Sequence, residues 1–459
     1  MTGRDDVGRP ARTARPPVRI AHLGLGAFHR AHQAWYTAAA EDPGWGIAAF
    51  TGRNPQAARE LAAQDGLYSL VVRSAERDDV VVVDSIVSAE EGSRVDRLAE
   101  ILSSPDTALV TLTVTEAGYA LDAGGRPDES VDAMREDLAR LPDALRAGVT
   151  DAARTPLGRL LTGIEARRRA DAGPLAVVPC DNLPDNGPFV RTGLRALAER
   201  VSPQTLAYLD ESVAFVSTSV DRITPRTTPE DLATVARITG WHDRAPVVTE
   251  PFHDWVLSGA FPAGRPAWER VGARFVDDIE PFERRKLWLL NGAHSLLAYV
   301  GSLRGHSTVA EAVGDRVARE LVEQLWDEAS RHLPPEGLDL PAYRAALLDR
   351  FDNGRIRHSL DQIGQDAVAK LRVRIAPVLL AERDAGREAP SAVAVLGAWV
   401  ASARSGSLPA DRAGESIARA AAEPGERAVR ALLRLIDPAL AEDPAVVADV
   451  SAASSGLGR

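Results

Sequence analysis

The stretch Val18-Arg19-Ile20-Ala21-His22-Leu23-Gly24-Leu25-Gly26 decides the fold class. Its first six residues form a short apolar run typical of a buried strand, and an amphipathic helical pattern begins at about Ala27. A strand that runs into a tight glycine turn and then a helix is the opening unit of a doubly wound α/β sheet. Such a turn can hold a pyrophosphate on backbone N–H groups, although an ordinary strand-to-helix turn would show the same residues.

Within this turn, Gly24 is expected to permit the sharp change of direction, and Gly26 to let the backbone approach the phosphates. His29 stands where the usual fingerprint has its third glycine. Arg53, at the end of the second predicted strand, favours the 2′-phosphate of NADP, because an NAD site usually carries an acid there. A solvated loop charge or stacking on adenine would also explain Arg53. The choice between NAD and NADP therefore stays open.

The rest of the chain predicts two kinds of domain. Between Val18 and about Val216, β-rich runs alternate with helical patterns, which predicts a Rossmann-type, mostly parallel sheet. The predicted strands are Val18–Leu23, Gly46–Phe50, Tyr68–Val72, Val80–Val83, Leu109–Val114, Ala176–Val178 and Val213–Val216. The third and fourth of these read as a hairpin appended to that sheet.

Beyond Pro281 only helical periodicity remains, which predicts an all-helical C-terminal domain. The predicted helices are Arg284–Val300, Val309–Leu333, Pro341–Phe351, Leu360–Arg383, Ala392–Ala403, Ala413–Ala422 and Arg427–Leu435. The expected organisation is a disordered arm over 1–17, a dinucleotide-binding domain over 18–280, a helical substrate domain over 281–450 and a frayed tail over 451–459.

Composition narrows the class of protein. The net charge of −11 disfavours nucleic acid and anionic membranes as partners. A single cysteine, Cys180, excludes an intramolecular disulfide and fits a reducing compartment. The N-terminal residues lack the apolar run of a secretory signal, and no stretch reaches the roughly 18 apolar residues of a membrane span. We expect a cytoplasmic enzyme, either a monomer or a small homo-oligomer.

The segment from Pro281 to Ser295 carries the candidate chemistry. With Lys286 at 0° on a helix, His294 falls near about 80° and Asn291 near about 140°, so all three share one side. A neutral lysine amine can remove the hydroxyl proton of a secondary alcohol as hydride leaves for nicotinamide. Asn291 can stabilise the alkoxide by donation, and His294 can fix the substrate oxygen. A structural helix with a solvated lysine is the alternative.

Two polar clusters that follow predicted strands favour a site over that alternative: Cys180–Gly187 and Val220–Pro225. Each could also be a turn rich in Asx and Pro. The spacing of His29 and His32 resembles a metal motif, but nothing near them supplies a third ligand. No metal is expected.

These residues resemble the mannitol dehydrogenase family, the polyol-specific long-chain dehydrogenases, over about residues 18 to 380. The resemblance implies a Rossmann-type domain, a helical domain and a cleft between them. The matching segments are His22–Gln33, Thr113–Tyr119, Cys180–Gly187, Val220–Pro225 and Lys286–Ser295.

The resemblance also implies roles for individual residues. Lys286 matches the catalytic base, Asn182 and Asn291 the paired amides around the alkoxide, and His294 the histidine that orients substrate. Glu116 matches a glutamate that passes the proton to solvent. The remaining matches are a site aspartate, Asp221, and the cofactor loop with Gly24, Gly26, Ala27, Phe28 and Arg30. As to the cofactor, the resemblance favours NAD, whereas Arg53 favours NADP.

Two branches of the family, which act on different substrates, are candidates for this chain. The sequence of the glycine loop and the segment His358–Ile363 resemble the fructuronate reductase (mannonate oxidoreductase) branch. The mannitol 2-dehydrogenase branch tends to carry arginine where Gln362 stands. His358, Lys370 and Arg374 are candidate substrate residues. The segment 366–368 reads Asp-Ala-Val and departs from the expected Asp-Gly-Ser, a difference that bears on the substrate and not on the type of reaction.

We therefore expect a metal-independent oxidoreductase that moves a hydride between a nicotinamide dinucleotide and a secondary carbon of a six-carbon sugar acid or polyol, with fructuronate reductase first. The alternatives are a mannitol 2-dehydrogenase or other polyol dehydrogenase and, more remotely, a non-catalytic dinucleotide-sensing protein.

Overall fold

The computed structural model describes residues 8, 10–12, 14–122 and 124–456. The chain divides into two compact units, Met1–Ile279 and Glu280–Arg459. The first combines strands with helices, and the elements of the second are helical. The predicted fold class, a Rossmann-type sheet domain followed by a helical domain, is confirmed.

The strands lie in the first unit and are short, as the brief apolar runs predict. They are β1 Val18–Leu23, β2 Gly46–Phe50, β3 Tyr68–Arg73, β4 Asp78–Val83, β5 Ile86–Glu90, β6 Leu109–Leu112, β7 Leu175–Pro179, β8 Val213–Phe215, β9 Ser217–Asp221, β10 Val247–Thr249, β11 Asp254–Ser258 and β12 Arg274–Phe275.

The helices of this unit connect the strands. They are α1 Ala27–Ala31, α2 Gln33–Ala39, α3 Gln56–Ala63, α4 Val95–Leu102, α5 Asp132–Ala147, α6 Pro156–Arg169, α7 Asn186–Val201, α8 Pro203–Ser212 and α9 Pro229–Thr239. Two 3₁₀ turns, Glu116–Tyr119 and Trp268–Val271, complete the set. The helix that was predicted to begin at Ala27 does so, but it is interrupted at His32, whose backbone leaves the helical region (φ −119°, ψ −93°).

The main sheet has six strands in the order β5-β2-β1-β6-β7-β8, and every neighbouring pair is parallel. From β1 the chain moves outward through β2 to β5, then returns to add β6 on the other side of β1. The carboxyl ends of β1 and β6 therefore form a topological switch point, which is where open α/β sheets bind their ligands.

Side chains of the main sheet alternate between two hydrophobic cores. On β1, Ala21 and Leu23 face one core while Ile20 faces the other, and β6 repeats the pattern with Val110 and Leu109. A parallel sheet covered on both faces is what near-continuous apolar strands predict.

Two smaller sheets differ from the prediction. The predicted hairpin exists, because β3 and β4 pair antiparallel, but it belongs to a separate sheet in the order β10-β3-β4 and is not appended to the main one. A second small sheet has the order β12-β11-β9. Its strand β9 was not predicted, since the polar run Ser217–Asp221 carries little apolar signal.

The segment that was predicted to be a disordered arm makes specific contacts where it is described. Arg12 donates from Nη2 to the carbonyls of Asp65 (2.6 Å) and Ile86 (2.7 Å), and its side chain is only 5% exposed. Arg15 donates to the carbonyl of Val87 at 2.9 Å. These arginines bind carbonyls of β5 and of the turn after α3, which composition alone does not reveal. Residues 1–7, 9 and 13 of the predicted arm lie outside the described residues.

The second unit is built from helices, and none of the helices that the structure describes combines the length and apolar character needed to cross a membrane. They are α10 Glu280–Arg285, α11 Asn291–Leu296, α12 Val309–Gly314, α13 Arg316–Ser330, α14 Leu340–Phe351, α15 Leu360–Gly364, α16 Ala367–Arg374, α17 Ala376–Asp384, α18 Pro390–Ser405, α19 Gly414–Ala421, α20 Glu426–Ile436, α21 Pro438–Glu442 and α22 Pro444–Gly456.

Several predicted helices are divided in the structure. The prediction over Val309–Leu333 becomes α12 and α13, because Asp315 leaves the helix and caps α13 by accepting from Val317 N at 2.8 Å. The prediction over Leu360–Arg383 becomes α15, α16 and α17. Asp366 has a positive φ of 51°, and Pro377 lies in the first turn of α17, so the preceding helix continues through neither position.

The tail also differs from its prediction. Helix α22 continues through Gly456 and buries Val446, Val447 and Val450, so the predicted frayed tail begins inside a helix. Ser454 is 9% exposed. The apolar face of α22 packs against α18, which holds this helix in place. Residues 457–459 lie outside the described residues.

Candidate active site

The glycine turn is fixed by three strand ends. The N–H groups of Gly24 and Leu25 both donate to the carbonyl of Phe50, at 2.9 and 2.8 Å, and the Thr113 hydroxyl donates to the carbonyl of Gly24 at 2.8 Å. Gly24 has φ +112°, and a Cβ there would overlap the carbonyl oxygen of Thr113. Only glycine fits this position. At Gly26 the nearest atom to an added Cβ is 3.6 Å away, so space is open on that side of the turn.

Buried histidines pack behind the turn. His22 makes hydrogen bonds through Nδ1 with Thr111 Oγ1 (2.8 Å) and through Nε2 with Thr113 Oγ1 (3.2 Å). Its ring stacks on His29 at 3.3 Å. Burial lowers the pKa of His22 to about 3, so the imidazole is neutral. Among the described residues, no group of three or more His, Cys, Asp or Glu is placed to hold a metal ion.

A cavity of about 370 Å³ opens at the carboxyl ends of β1, β2 and β6, at the switch point of the sheet. Its size and its bare glycine wall suit a dinucleotide. The lining residues are Leu23, Gly24, Phe50, Thr51, Gly52, Arg53, Gly92, Leu98, Thr113, Val114, Thr115, Ala117, Gly118, Ala120, Val131, Ala133, Arg154, Thr155, Pro156 and Arg159.

The predicted cofactor residues divide into two groups. Gly24 and Arg53 line the cavity, whereas Gly26, Ala27, Phe28 and Arg30 are not among its lining residues. Arg30 instead supports the turn from behind, since its Nε donates to the carbonyl of Gly26 at 3.1 Å. Its guanidinium also lies over a tyrosine ring of β3. Phe28 stacks on His32, the residue at which the first helix is interrupted, with 5.0 Å between the ring centroids.

The polar segment after β7 contains two structural residues that sequence reasoning did not single out. Asp181 is buried and accepts from Val114 N (2.6 Å) and from the hydroxyl of Tyr119, which ties the loop after β6 to the end of β7. Burial raises the pKa of Asp181 to about 7. Asn186 is fully buried and pairs with Thr218 in both directions, Nδ2 to O at 2.9 Å and N to Oδ1 at 2.8 Å. Burial distinguishes these two residues from the exposed residues of the same segment, and composition does not show burial.

The predicted site residues of the first unit lie at strand ends. Asn182 is exposed immediately after Asp181, and Glu116 is exposed in the 3₁₀ turn that follows β6. Asp221 ends β9 and is half-buried. The neighbouring Arg222 is buried and donates to the carbonyl of Ala31 at 2.6 Å, so its role is to hold the first helix.

In the second unit, the segment with the candidate lysine is helical but not regular. Lys286–Leu290 forms a π-helical turn between α10 and α11, and Leu297–Gly301 forms another after α11. The angles expected for 3.6 residues per turn therefore do not describe this segment, since π turns bond each residue to the fifth along. Such turns are rare and often mark functional sites. Lys286 is half-buried at the start of this turn, and Asn291 is half-buried at its end.

His294 is buried on α11 and its Nε2 has no hydrogen-bond partner among the described residues. Its ring lies 5.1 Å from that of Phe351 and 4.9 Å from that of His358. Burial lowers the pKa of His294 well below its ordinary value, and His358, Arg350 and other nearby cations add to the effect. A neutral imidazole with an unused nitrogen is available to a ligand hydroxyl.

Two cations of α16 complete this cluster. Lys370 donates from Nζ to the carbonyl of Ile363 at 3.0 Å, and Arg374 donates from Nη1 to Ser295 Oγ at 3.3 Å and to the carbonyl of Asn291 at 3.4 Å. Burial lowers the pKa of Lys370, and it lowers that of Arg374 to about 10. The structure thus brings together five predicted site residues on α11, α16 and the segment before α15: Asn291, His294, His358, Lys370 and Arg374.

Both units match models of one family. The mannitol dehydrogenase Rossmann domain matches residues 18–270, and the mannitol dehydrogenase C-terminal domain matches residues 278–456. The chain is 36% identical over 399 residues to a D-mannonate oxidoreductase of Escherichia coli (strain K12), which covers 84% of this chain and 80% of that protein. It is 38% identical over 394 residues to a D-arabinitol 4-dehydrogenase of Ralstonia nicotianae (strain ATCC BAA-1114 / GMI1000), covering 83% of this chain and 82% of the relative.

A solved structure agrees with these relatives. A Pseudomonas fluorescens mannitol 2-dehydrogenase, in a ternary complex with NAD and D-mannitol, superposes with a TM-score of 0.78 at 30% identity and covers 96% of this chain and 92% of that one. The family suggested by the glycine turn and the lysine segment is confirmed: the chain belongs to the mannitol dehydrogenase family of oxidoreductases.

Proposed function

We propose that the chain transfers a hydride between a nicotinamide dinucleotide and the secondary alcohol or ketone of a six-carbon sugar acid, as a fructuronate reductase working reversibly with mannonate. The bound dinucleotide would accept or supply the hydride at its nicotinamide ring. The cavity at the switch point, with Gly24 at its wall, is suited to hold that group. The remaining tasks fall to the protein.

The observation that carries the choice of a sugar acid is the charge of the cluster around His294. Lys370 and Arg374 both donate to neutral acceptors, a carbonyl oxygen for the first and a hydroxyl and a carbonyl for the second. Asp366 and Asp411 act on the charge of Lys370, but no carboxylate acts in this way on Arg374 in the described part of the chain. A cation withdrawn from water without an anionic partner is costly, and a substrate carboxylate would supply the missing charge. A neutral polyol such as mannitol would leave the charge of Arg374 uncompensated.

Proton transfer is the second part of the proposal. Lys286 would act as the base that takes the hydroxyl proton of the alcohol, and Glu116 would help to pass that proton to solvent. Asn182 and Asn291 would donate to the developing alkoxide, and the unused Nε2 of His294 would orient the substrate hydroxyl. No step requires a metal ion.

The relatives offer a second candidate. The names of the relatives include a D-mannonate oxidoreductase and a D-arabinitol 4-dehydrogenase, and the solved neighbour holds NAD and D-mannitol. A mannitol 2-dehydrogenase or another polyol dehydrogenase is therefore the alternative. We propose no role as a dinucleotide sensor, because the candidate lysine and both amides are present.

Steady-state kinetics separate these functions. We expect kcat/KM for D-fructuronate to exceed that for D-fructose, and D-mannonate to exceed D-mannitol in reverse, with either NAD(H) or NADP(H). Arg374→Gln should lower kcat/KM for fructuronate by roughly tenfold to a hundredfold and change kcat/KM for fructose little. Arg372→Gln is the matched control on the same helix, since its guanidinium binds the carbonyls of Leu435 and Ile436. A preference for the polyols, unchanged by Arg374→Gln, would favour the alternative.

The assigned base is tested separately. Lys286→Ala should abolish turnover while dinucleotide binding persists, and Asn182→Ala or Asn291→Ala should each lower kcat by roughly a hundredfold or more. A Lys286→Ala variant with the wild-type rate would remove the base from the proposal. Absence of reduced dinucleotide formation with every sugar and sugar acid tested would return the sensor to consideration.

A further inference from the structure

The wall of the cavity at the end of β2 has an unusual charge. In a sheet of this topology, the residues that follow the second strand face the ribose of the adenosine half, where an acid holds the hydroxyls of NAD. Here that position is Thr51-Gly52-Arg53, and in the described part of the chain no Asp or Glu lines the cavity. Three arginines line it instead, Arg53, Arg154 and Arg159.

Arg159 reaches this same wall from α6. Its Nη1 lies 2.9 Å from the position that a Cβ on Gly92 would occupy, and that position also overlaps the carbonyl oxygen of Thr51 and lies 2.5 Å from that of Gly52. The guanidinium of Arg159 therefore stands beside the end of β2, close to where the ribose 2′ position would lie. Gly92 leaves the room that the side chain uses.

The guanidinium of Arg159 keeps an unused hydrogen-bond donor. Its Nε is buried and has no hydrogen-bond partner in the described structure. The acid that acts on it, Asp137, already accepts from Arg154 N (2.6 Å) and from Thr155 N (2.9 Å) and Oγ1 (2.6 Å). Burial lowers the pKa of Arg159. A half-buried arginine with an unused donor, facing a cavity, is suited to an anionic ligand group.

We propose that Arg159, together with Arg53, binds the 2′-phosphate of NADP(H) and makes the chain prefer NADP(H) over NAD(H). The proposal rests on the dinucleotide-binding part of the function proposed above, and it names the residues that decide between the two cofactors. Arg53 approaches the phosphate from the strand end and Arg159 from the helix, so that two guanidinium groups would share its charge.

Calorimetric titration of the whole chain tests this without turnover. The ligands are 2′,5′-ADP, which carries the extra phosphate, and 5′-ADP, which lacks it; NADPH and NADH form the second pair. We expect the wild type to bind the 2′-phosphorylated member of each pair more tightly. Arg159→Gln should weaken the binding of 2′,5′-ADP by roughly tenfold to a hundredfold and change the affinity for 5′-ADP by no more than about twofold.

Two further variants keep the test decisive. Arg53→Gln changes an exposed side chain and should show the same selective loss even if Arg159→Gln folds poorly, which a thermal melt would reveal. Arg146→Gln, on the neighbouring helix α5, removes one positive charge that pairs with Asp143 outside the cavity and should change neither ligand.

The outcomes are distinct. Equal losses for 2′,5′-ADP and 5′-ADP in Arg159→Gln and Arg53→Gln would show stacking on adenine and overturn the proposal, as would tighter binding of NADH by the wild type. No binding of any of the four ligands would contradict the proposed function itself.

Discussion

Substituting alanine for each glycine of the turn separates what the fold needs from what the ligand needs. Gly24→Ala places a Cβ against the Thr113 carbonyl and within 2.7 Å of Thr113 Oγ1, on a backbone with φ +112°. The backbone strain costs about 1–3 kcal/mol and the steric overlap about as much again, which together lower the free energy of unfolding by about 2–6 kcal/mol. Because three strand ends meet at this turn, its backbone can shift only a little to relieve the overlap.

Gly26→Ala is the matched control, two residues along the same turn. Its backbone is extended (φ −138°, ψ −170°), and the nearest atom to the new methyl is 3.6 Å away. We expect the free energy of unfolding to change by no more than about 0.5 kcal/mol. The methyl would instead occupy the space through which the phosphates approach, so dinucleotide affinity should fall about tenfold or more.

Urea unfolding followed by circular dichroism measures the stability, and quenching of tryptophan fluorescence by the reduced dinucleotide measures the affinity. The reasoning predicts opposite patterns: a large loss of stability for Gly24→Ala and a selective loss of affinity for Gly26→Ala. Wild-type stability in Gly24→Ala, or an equal loss of stability in both variants, would refute it.

Three further predictions concern the residues that support the site. Because burial raises the pKa of Asp181 to about 7 from an ordinary 3.8, the folded chain binds an extra proton between those values. The free energy of unfolding should therefore fall by up to about 1.4 kcal/mol per unit as pH rises through that window, and Asp181→Asn should remove this dependence in urea melts at both ends of it. Asn186→Ala, which strands the buried N–H and carbonyl of Thr218, should lower the free energy of unfolding by about 3 kcal/mol in the same melts. Exposed Asn54→Ala, which loses only the hydrogen bond from Gln56 N, should lower it by about 1 kcal/mol or less. Thr113→Val should weaken dinucleotide binding and lower the free energy of unfolding by about 1–2 kcal/mol, because the Thr113 hydroxyl joins Gly24 to His22. Equal dinucleotide affinity in the variant and the wild type would contradict the support that Thr113 gives to the turn.

Local patterns predicted five of the six strands of the main sheet and missed the edge strand β5. Strands β1 and β2 begin and end at the predicted residues, because each is a short apolar run bounded by glycine or proline. In the small sheets the β3–β4 hairpin was predicted, whereas β9, β10, β11 and β12 were not. Strand β9 is mostly polar, and its partner β11 lies more than thirty residues along the chain, so only tertiary pairing defines it. Short-range periodicity does not encode such partners.

The helical unit shows where a signal was present and where none was. Pro377 lies within the predicted helix Leu360–Arg383, and proline does not continue a helix, so one of its two breaks could have been predicted. The π turn at Lys286 has no comparable marker, since its residues suit an ordinary helix equally well. Sequence identified the polar segment after β7 as a unit, but only burial separates the structural Asp181 and Asn186 from the exposed Asn182.

The π turn makes this segment tolerant of a change in chain length that a regular helix does not absorb. A π turn holds one residue more than the α-helical turn it replaces, so removing Leu287 would let the segment relax to an ordinary helix. The helix on either side would nearly keep its orientation, whereas the same deletion within a regular α-helix rotates everything before it by about 100°. The change would be confined to the turn itself, where Lys286 shifts relative to Asn291 by a fraction of a turn. The extra residue thus adjusts the approach of these two side chains without turning the helices that carry the rest of the site.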